Sequence, residues 1–93
     1  MELIKFNTKF INGYRYNVAR GAIVGGNLKI LKWLKEQGYQ FDSNDWYHAV
    51  KYQVLRVLKW AKNNGYKVNQ WAFDYAIKNK HLDILKFAYK NNY

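Results

Sequence analysis

Apolar residues recur along this chain on two scales. Locally they keep helical spacing. Over residues 28–37, Leu28, Leu31 and Leu34 form one stripe with Ile30 beside it, while Lys29, Lys32 and Lys35 take the opposite side. At longer range, residues 22–39 (AIVGGNLKILKWLKEQGY) return 27 positions later at 49–66 (AVKYQVLRVLKWAKNNGY) and again at 76–93 (AIKNKHLDILKFAYKNNY). The columns are Leu28, Leu55, Leu82; Ile30, Val57, Ile84; Leu31, Leu58, Leu85; Trp33, Trp60, Phe87; Gly38, Gly65, Asn92; and Tyr39, Tyr66, Tyr93. A fixed period of this size marks stacked units, because one unit alone cannot bury its apolar face.

Each unit reads as two short helices. The spacing predicts first helices over 18–24, 45–52 and 72–79. Their inward positions are Ala19, Ala22, Ile23; Trp46, Ala49, Val50; and Phe73, Ala76, Ile77. The small Ala22, Ala49, Ala76 column lets a neighbouring helix come close. Second helices are predicted over 28–37, 54–64 and 81–91. Gly26 suits the turn between the helices of the first unit, but Gln53 and Lys80 stand at that place in the others. Residues 48–62 hold no breaker at all, so a continuous or kinked helix is open there. Asp42, Ser43 and Asn44 suit a turn and a helix start, with Asp45 adding first-turn negative charge. Asn69 and Gln70 do this less well. Upstream, Leu3, Phe6 and Phe10 follow helical spacing, and Asn12-Gly13 is expected to end that helix. Residues 13–17 (GYRYN) match 38–42 (GYQFD) and 65–69 (GYKVN), so 2–17 read as a half-unit cap before units at about 18–42, 43–69 and 70–93. Nothing alternates like a strand.

The pattern Ala-x-x-x-Gly-Asn/His-Leu-x-Ile-Leu-x-Trp-Leu-x-x-x-Gly resembles the ankyrin repeat. Ala22, Gly26, Asn27, Leu28, Ile30, Leu31, Leu34 and Gly38 carry the likeness in the first unit, and Ala76, His81, Leu82, Ile84 and Leu85 in the third. The period is shorter than the ~33 residues of the standard unit. It is similar to the divergent ankyrin-like repeats abundant in large DNA viruses and amoebae. The Thr-Pro-Leu-His opening is missing throughout. The resemblance implies an all-α, ankyrin-like helical-repeat solenoid of three helix-turn-helix units plus the N-terminal half-repeat cap. It implies a protein-protein interaction module whose concave face is the exposed side of the first helices. On that face stand Arg20, Val24, Tyr47, His48, Lys51, Asp74, Tyr75 and Lys78. Tyr and Arg are frequent anchors of interfaces. The resemblance also assigns His81 a bond to the turn.

Composition narrows the function classes. The chain has 93 residues, 19% of them aromatic, and no cysteine. Disulfides and thiolate metal sites are excluded, which fits a reducing compartment. No apolar run approaches the ~20 residues of a membrane span, and the N-terminus lacks a signal-peptide pattern. The expectation is an intracellular protein of the cytoplasm, the host's in a viral case, with no membrane association. The net charge of +10 raises a second class. Lys32, Lys59 and Lys86 form a basic column that Lys35 and Lys62 extend, a candidate nucleic-acid face as the alternative; a solvated helix side that keeps the chain soluble is the favoured account of it. With only three Arg, the charge also fits an AT-rich codon bias.

No catalytic constellation is present. The six acids are unpaired in sequence, Ser43 is the one serine, and Gly25-Gly26 lacks the Lys-Ser/Thr of a phosphate loop. His48 and His81 occupy different repeat positions without clustered ligands, so neither a metal nor a cofactor is expected. The Trp33, Trp60, Phe87 column is expected to pack between units, and the Tyr column to cover the Gly caps. Because the third unit ends on a second helix, Phe73, Ile77 and Phe87 are expected to be partly bare. That points to end-to-end self-association or to a longer array.

Overall fold

The computed structural model describes the backbone from Thr8 to Tyr93 and the side chains from Tyr14 onward. The spacing expected for Leu3, Phe6 and Phe10 lies outside these residues. Among the described residues all regular structure is helical: α1 (Thr8–Gly25), α2 (Leu28–Glu36), α3 (Ser43–Lys51), α4 (Leu55–Asn63), a 3-10 turn (Gln70–Phe73), α5 (Asp74–Lys78) and α6 (Leu82–Lys90). α1 packs on α2, α3 on α4, and α5 on α6, giving three hairpins. α1, α3 and α5 touch in succession, and α4 touches α6.

The hairpins are closed by one device used repeatedly. Gly26, Gln53 and Lys80 adopt φ of 67°, 57° and 56°. After each, the next residue's N–H reaches back five positions to the alanine column: Asn27 to Ala22 (2.8 Å), Val54 to Ala49 (2.8 Å) and His81 to Ala76 (2.9 Å). These bonds satisfy carbonyls that a helix end leaves unpaired. The alanine side chains are buried on the same turn. One small residue thus serves both the cap and the close helix approach. The second helices end likewise. Gly38, Gly65 and Asn92 are left-handed, and Tyr39, Tyr66 and Tyr93 donate to Leu34, Ala61 and Ala88. The run 48–62 is therefore broken at Gln53. A non-glycine residue there accepts a left-handed cost of about 1–2 kcal/mol. Gly26 is less replaceable, because a Cβ on it would lie 3.2 Å from Arg56 Cδ and 3.3 Å from Val54 Cγ1 of the next hairpin.

Two expectations fail at the ends of the chain. The first helix does not stop at Asn12-Gly13; α1 runs unbroken through both. Glycine permits the left-handed cap without compelling it, and each further helical residue adds a backbone bond. The Arg20 guanidinium lies 4.8 Å over the Tyr16 ring one turn back and donates to its hydroxyl. That pairing crosses the boundary expected between the cap and the first unit. At the other end, Ile77 is 61% exposed, as expected of an uncovered flank, although its column mates Ile23 and Val50 are buried. Phe73 and Phe87, also expected to be partly bare, are buried.

The core holds Leu31, Leu34, Trp46, Val57, Leu58, Phe73, Ile84 and the alanines. Aromatic contacts in it recur with the period. Tyr66 lies 5.3 Å from Trp46 and 5.8 Å from Trp60, as Tyr93 lies 5.1 Å from Phe73 and 6.0 Å from Phe87. The tyrosine rings thus pack against the core aromatics of their own hairpins. Trp60 also meets Phe41 of the preceding connection at 5.7 Å. Trp33 departs from its column and is 49% exposed.

Candidate functional site

The first-turn chemistry of α3 sets the geometry beside the candidate surface. Asp42 caps the helix by accepting from the N–H groups of Asn44 and Asp45 (3.0 and 3.2 Å). Asp45 reaches back to accept from the Asp42 N–H at 2.9 Å, which completes a capping box. The Tyr39 hydroxyl also donates to Asp45, at 3.3 Å. Asp45 is the one buried charged residue of the described set. Burial pushes its carboxyl up from 3.8 to about 6, helped by the Asp42 charge and opposed by the Asp42 N–H, the Tyr39 hydroxyl and His48. Burial, with Asp45 and Asp42, also pushes the Tyr39 phenol up, so it stays a donor. The box explains this carboxylate structurally, without chemistry on a substrate.

A pH dependence follows. Between pH 3.8 and about 6 the folded chain binds more protons at Asp45 than the unfolded one, so this residue's contribution to stability falls as pH rises through that window. The cost is complete above it and amounts to about 1–3 kcal/mol. Asp45→Asn keeps an acceptor for the Asp42 N–H and removes the titration. The expected result is a melting-temperature difference, variant minus wild type, that grows in the variant's favour from pH 4 to pH 7. A difference that is flat with pH refutes the assignment.

Above this box, the outer side of α3 and α5 carries a continuous aromatic surface. The Tyr47 ring stacks on Trp71 at 5.6 Å and meets Tyr75 edge-on at 6.0 Å. His48 stacks on Tyr52 at 6.5 Å. Its Nδ1–H donates to the Asn44 carbonyl at 2.7 Å. Tyr75 lies 5.8 Å from the His81 ring. The Lys51 ammonium sits between two rings, 5.6 Å from Tyr52 and 6.0 Å from Tyr75. Trp71 and Tyr52 remain 45% and 51% exposed. The surface therefore offers flat apolar rings, hydroxyls at their edges and one cation held among them.

Of the residues expected on this face, Tyr47, His48, Lys51 and Tyr75 come together. Arg20 turns to Tyr16 within its own helix. Val24, Asp74 and Lys78 are exposed beside the cluster's helices without joining the aromatic contacts. Trp71, Tyr52 and His81 were missed. The register held a signal for two of them: Trp71 falls in a column with Asn44, and Tyr52 in one with Gly25 and Asn79. An aromatic residue at a polar or glycine position has no packing reason to be there. His81 does not bond the turn as expected. It makes no side-chain cap bond, and its Nδ1 is buried without a partner, whereas Asn27 at the equivalent position accepts from the Ile30 N–H.

The lysines of the basic column, Lys32, Lys59 and Lys86, and their extension, Lys35 and Lys62, are all exposed. Lys59 and Lys62 share a shallow depression with Lys90 and Phe87. Among the described residues no three metal-ligating side chains converge, and no helix is long and apolar enough to cross a membrane. Comparison with protein-family models, with curated proteins and with solved structures gives no match.

Proposed function

We propose that this chain is a non-enzymatic, intracellular protein-interaction module, built as an ankyrin-like solenoid of three stacked hairpins. It presents the outer side of its first helices to a protein partner. The stacked reading draws support from caps and aromatic contacts that recur every 27 residues. The binding reading rests on one observation, the ring surface around Lys51 in which Trp71 and Tyr52 are half-exposed and Tyr47 and Tyr75 partly buried. Rings of this kind supply large, rigid contact area at low entropic cost, which suits an interface anchor.

A second reading is favoured by the Lys59, Lys62, Lys90 depression: a nucleic-acid face, to which a net charge of +10 would draw phosphates. One experiment separates the two. Trp71→Ala, Tyr75→Ala and the double variant Lys59→Glu/Lys62→Glu are compared with wild type in quantitative affinity capture from source cells and on a duplex DNA column. The aromatic truncations are expected to weaken retention of specific proteins about 30-fold, the effect of a ~2 kcal/mol hot spot, with the melting temperature held. If protein capture survives them, the interaction surface lies elsewhere. If duplex binding falls steeply with salt and the lysine variant flattens that slope, the nucleic-acid reading takes its place.

A further inference from the structure

Among the described residues, the face by which one hairpin receives the next is exposed on the third hairpin, and the first hairpin carries an exposed side chain that matches it. On the outer side of the third hairpin, Ile77 and Leu82 are each 61% exposed and Tyr89 is 86% exposed. Leu85 is half-buried where Leu31 and Leu58 are fully enclosed. Phe73, Ile77, Leu85, Ala88, Tyr89 and Tyr93 line one groove there. In the first and second hairpins the equivalent face is covered by the hairpin that follows, since α1 packs on α3 and α3 on α5. The internal structure thus says what fits the groove: another hairpin of this same pattern.

The opposite side carries the matching projection. Trp60 faces back onto Phe41 of the hairpin before it. Phe87 is buried beside Lys59, Lys62 and Asn63 of the hairpin before it. Trp33 holds the same column and stands 49% exposed. Moving the Phe87 neighbours forward by one period gives Lys86, Tyr89 and Lys90 as the seat that a Trp33 ring would meet. At that seat Tyr89 is aromatic where its own column has Lys35 and Lys62. A tyrosine replaces a lysine at the one member of the column that faces no covering hairpin.

We propose that copies of this chain associate head to tail, the α1–α2 hairpin of one seating on the outer face of the α5–α6 hairpin of the next. Trp33 of one copy packs against Tyr89 of its neighbour, and Ile77 is covered. This deepens the stacked-hairpin reading and is independent of the aromatic surface on the first helices. The contact joins two different patches, so it does not close on itself, and it propagates. Each copy carries +10, so association strengthens as salt screens the repulsion between copies, over a distance of about 8 Å at physiological ionic strength.

The test is sedimentation velocity on the 93-residue chain across a concentration series at physiological and higher salt. Wild type is expected to grow beyond the mass of two chains as concentration rises. Trp33→Lys keeps the groove and loses the projection; Ile77→Lys/Tyr89→Lys keeps the projection and loses the groove. Each is expected to stay monomeric alone with an unchanged circular dichroism spectrum, because all three residues are exposed. Mixed in equal amounts, the two variants are expected to form one discrete dimer and grow no further. A monomeric wild type at all concentrations overturns the proposal, as does a variant that dimerises alone or a mixture that does not pair. Trp71→Ala is expected to leave the growth intact, which keeps failure of this contact distinct from failure of the partner-binding surface.

Discussion

Leu58→Asp is expected to abolish the cooperative thermal transition, while Leu85→Asp, the same change one period later, leaves a folded chain with a lowered melting temperature. Leu58 has no exposed surface, and neither has Leu31. Truncating such a leucine alone costs about 2–5 kcal/mol. Asp adds the penalty of a buried group with no hydrogen-bond donor in reach, a further several kcal/mol whether it stays charged or takes up a proton. The sum, about 5–10 kcal/mol, is comparable to the whole stability of a small domain, which lies at the low end of about 5–15 kcal/mol. Leu85 sits at the edge of the uncovered groove, so a carboxylate there keeps contact with water and the loss is about 1–2 kcal/mol, the usual range for a partly buried site. Circular dichroism melts at low concentration check both. Equal responses at positions 31, 58 and 85 would show that the three columns do not differ in cover, and the head-to-tail proposal would lose its footing.

Trp46→Ala is the second large effect, an expected loss of about 3–5 kcal/mol. Trp46 is enclosed, stacks on Phe41 at 5.2 Å and lies 5.3 Å from Tyr66. It therefore ties the first connection, α3 and the cap of α4 into one cluster. Trp46→Phe places there the residue that Phe73 supplies one period later; it removes one ring and keeps the other, and is expected to cost about 1–2 kcal/mol, less than full truncation. A fluorescence readout goes with it. Trp33 and Trp71 are half-exposed and Trp60 is partly covered, so Trp46 is the only fully enclosed indole. Its replacement by Phe is expected to shift the emission maximum of the folded chain to longer wavelength. An unshifted spectrum would place Trp46 in a wetter setting than the one described.

The helices were legible in the sequence where hydrophobic period and cap chemistry agreed. α2, α4 and α6 lie within the spans expected for them, and Asp42 and Asp45 cap α3 as their positions suggested. Legibility failed where a residue permits two outcomes. Gly13 suits a cap and also sits within a helix, and the run 48–62 contains no breaker yet breaks, because the Val54 N–H finds the Ala49 carbonyl and both new helices bury a face. His81 matched a column whose histidine bonds the turn, but here the ring turns toward Tyr75 and its Nδ1 has no partner. The aromatic surface was half visible. Tyr47, His48, Lys51 and Tyr75 follow from the register, whereas the contact of Tyr47 with Trp71 depends on how the 3-10 turn leans on α3, and that of His48 and Lys51 with Tyr52 on how α3 ends.

The sequence by itself determined the period, the apolar columns and the cap of α3, because these depend on local side-chain chemistry repeated in register. Only the tertiary structure decided which members of a column are covered. Ile23, Val50 and Ile77 are chemically near-identical, yet the first two are enclosed and the third meets solvent. Burial belongs to the neighbour that lies across the interface, and no residue carries that neighbour in its own identity.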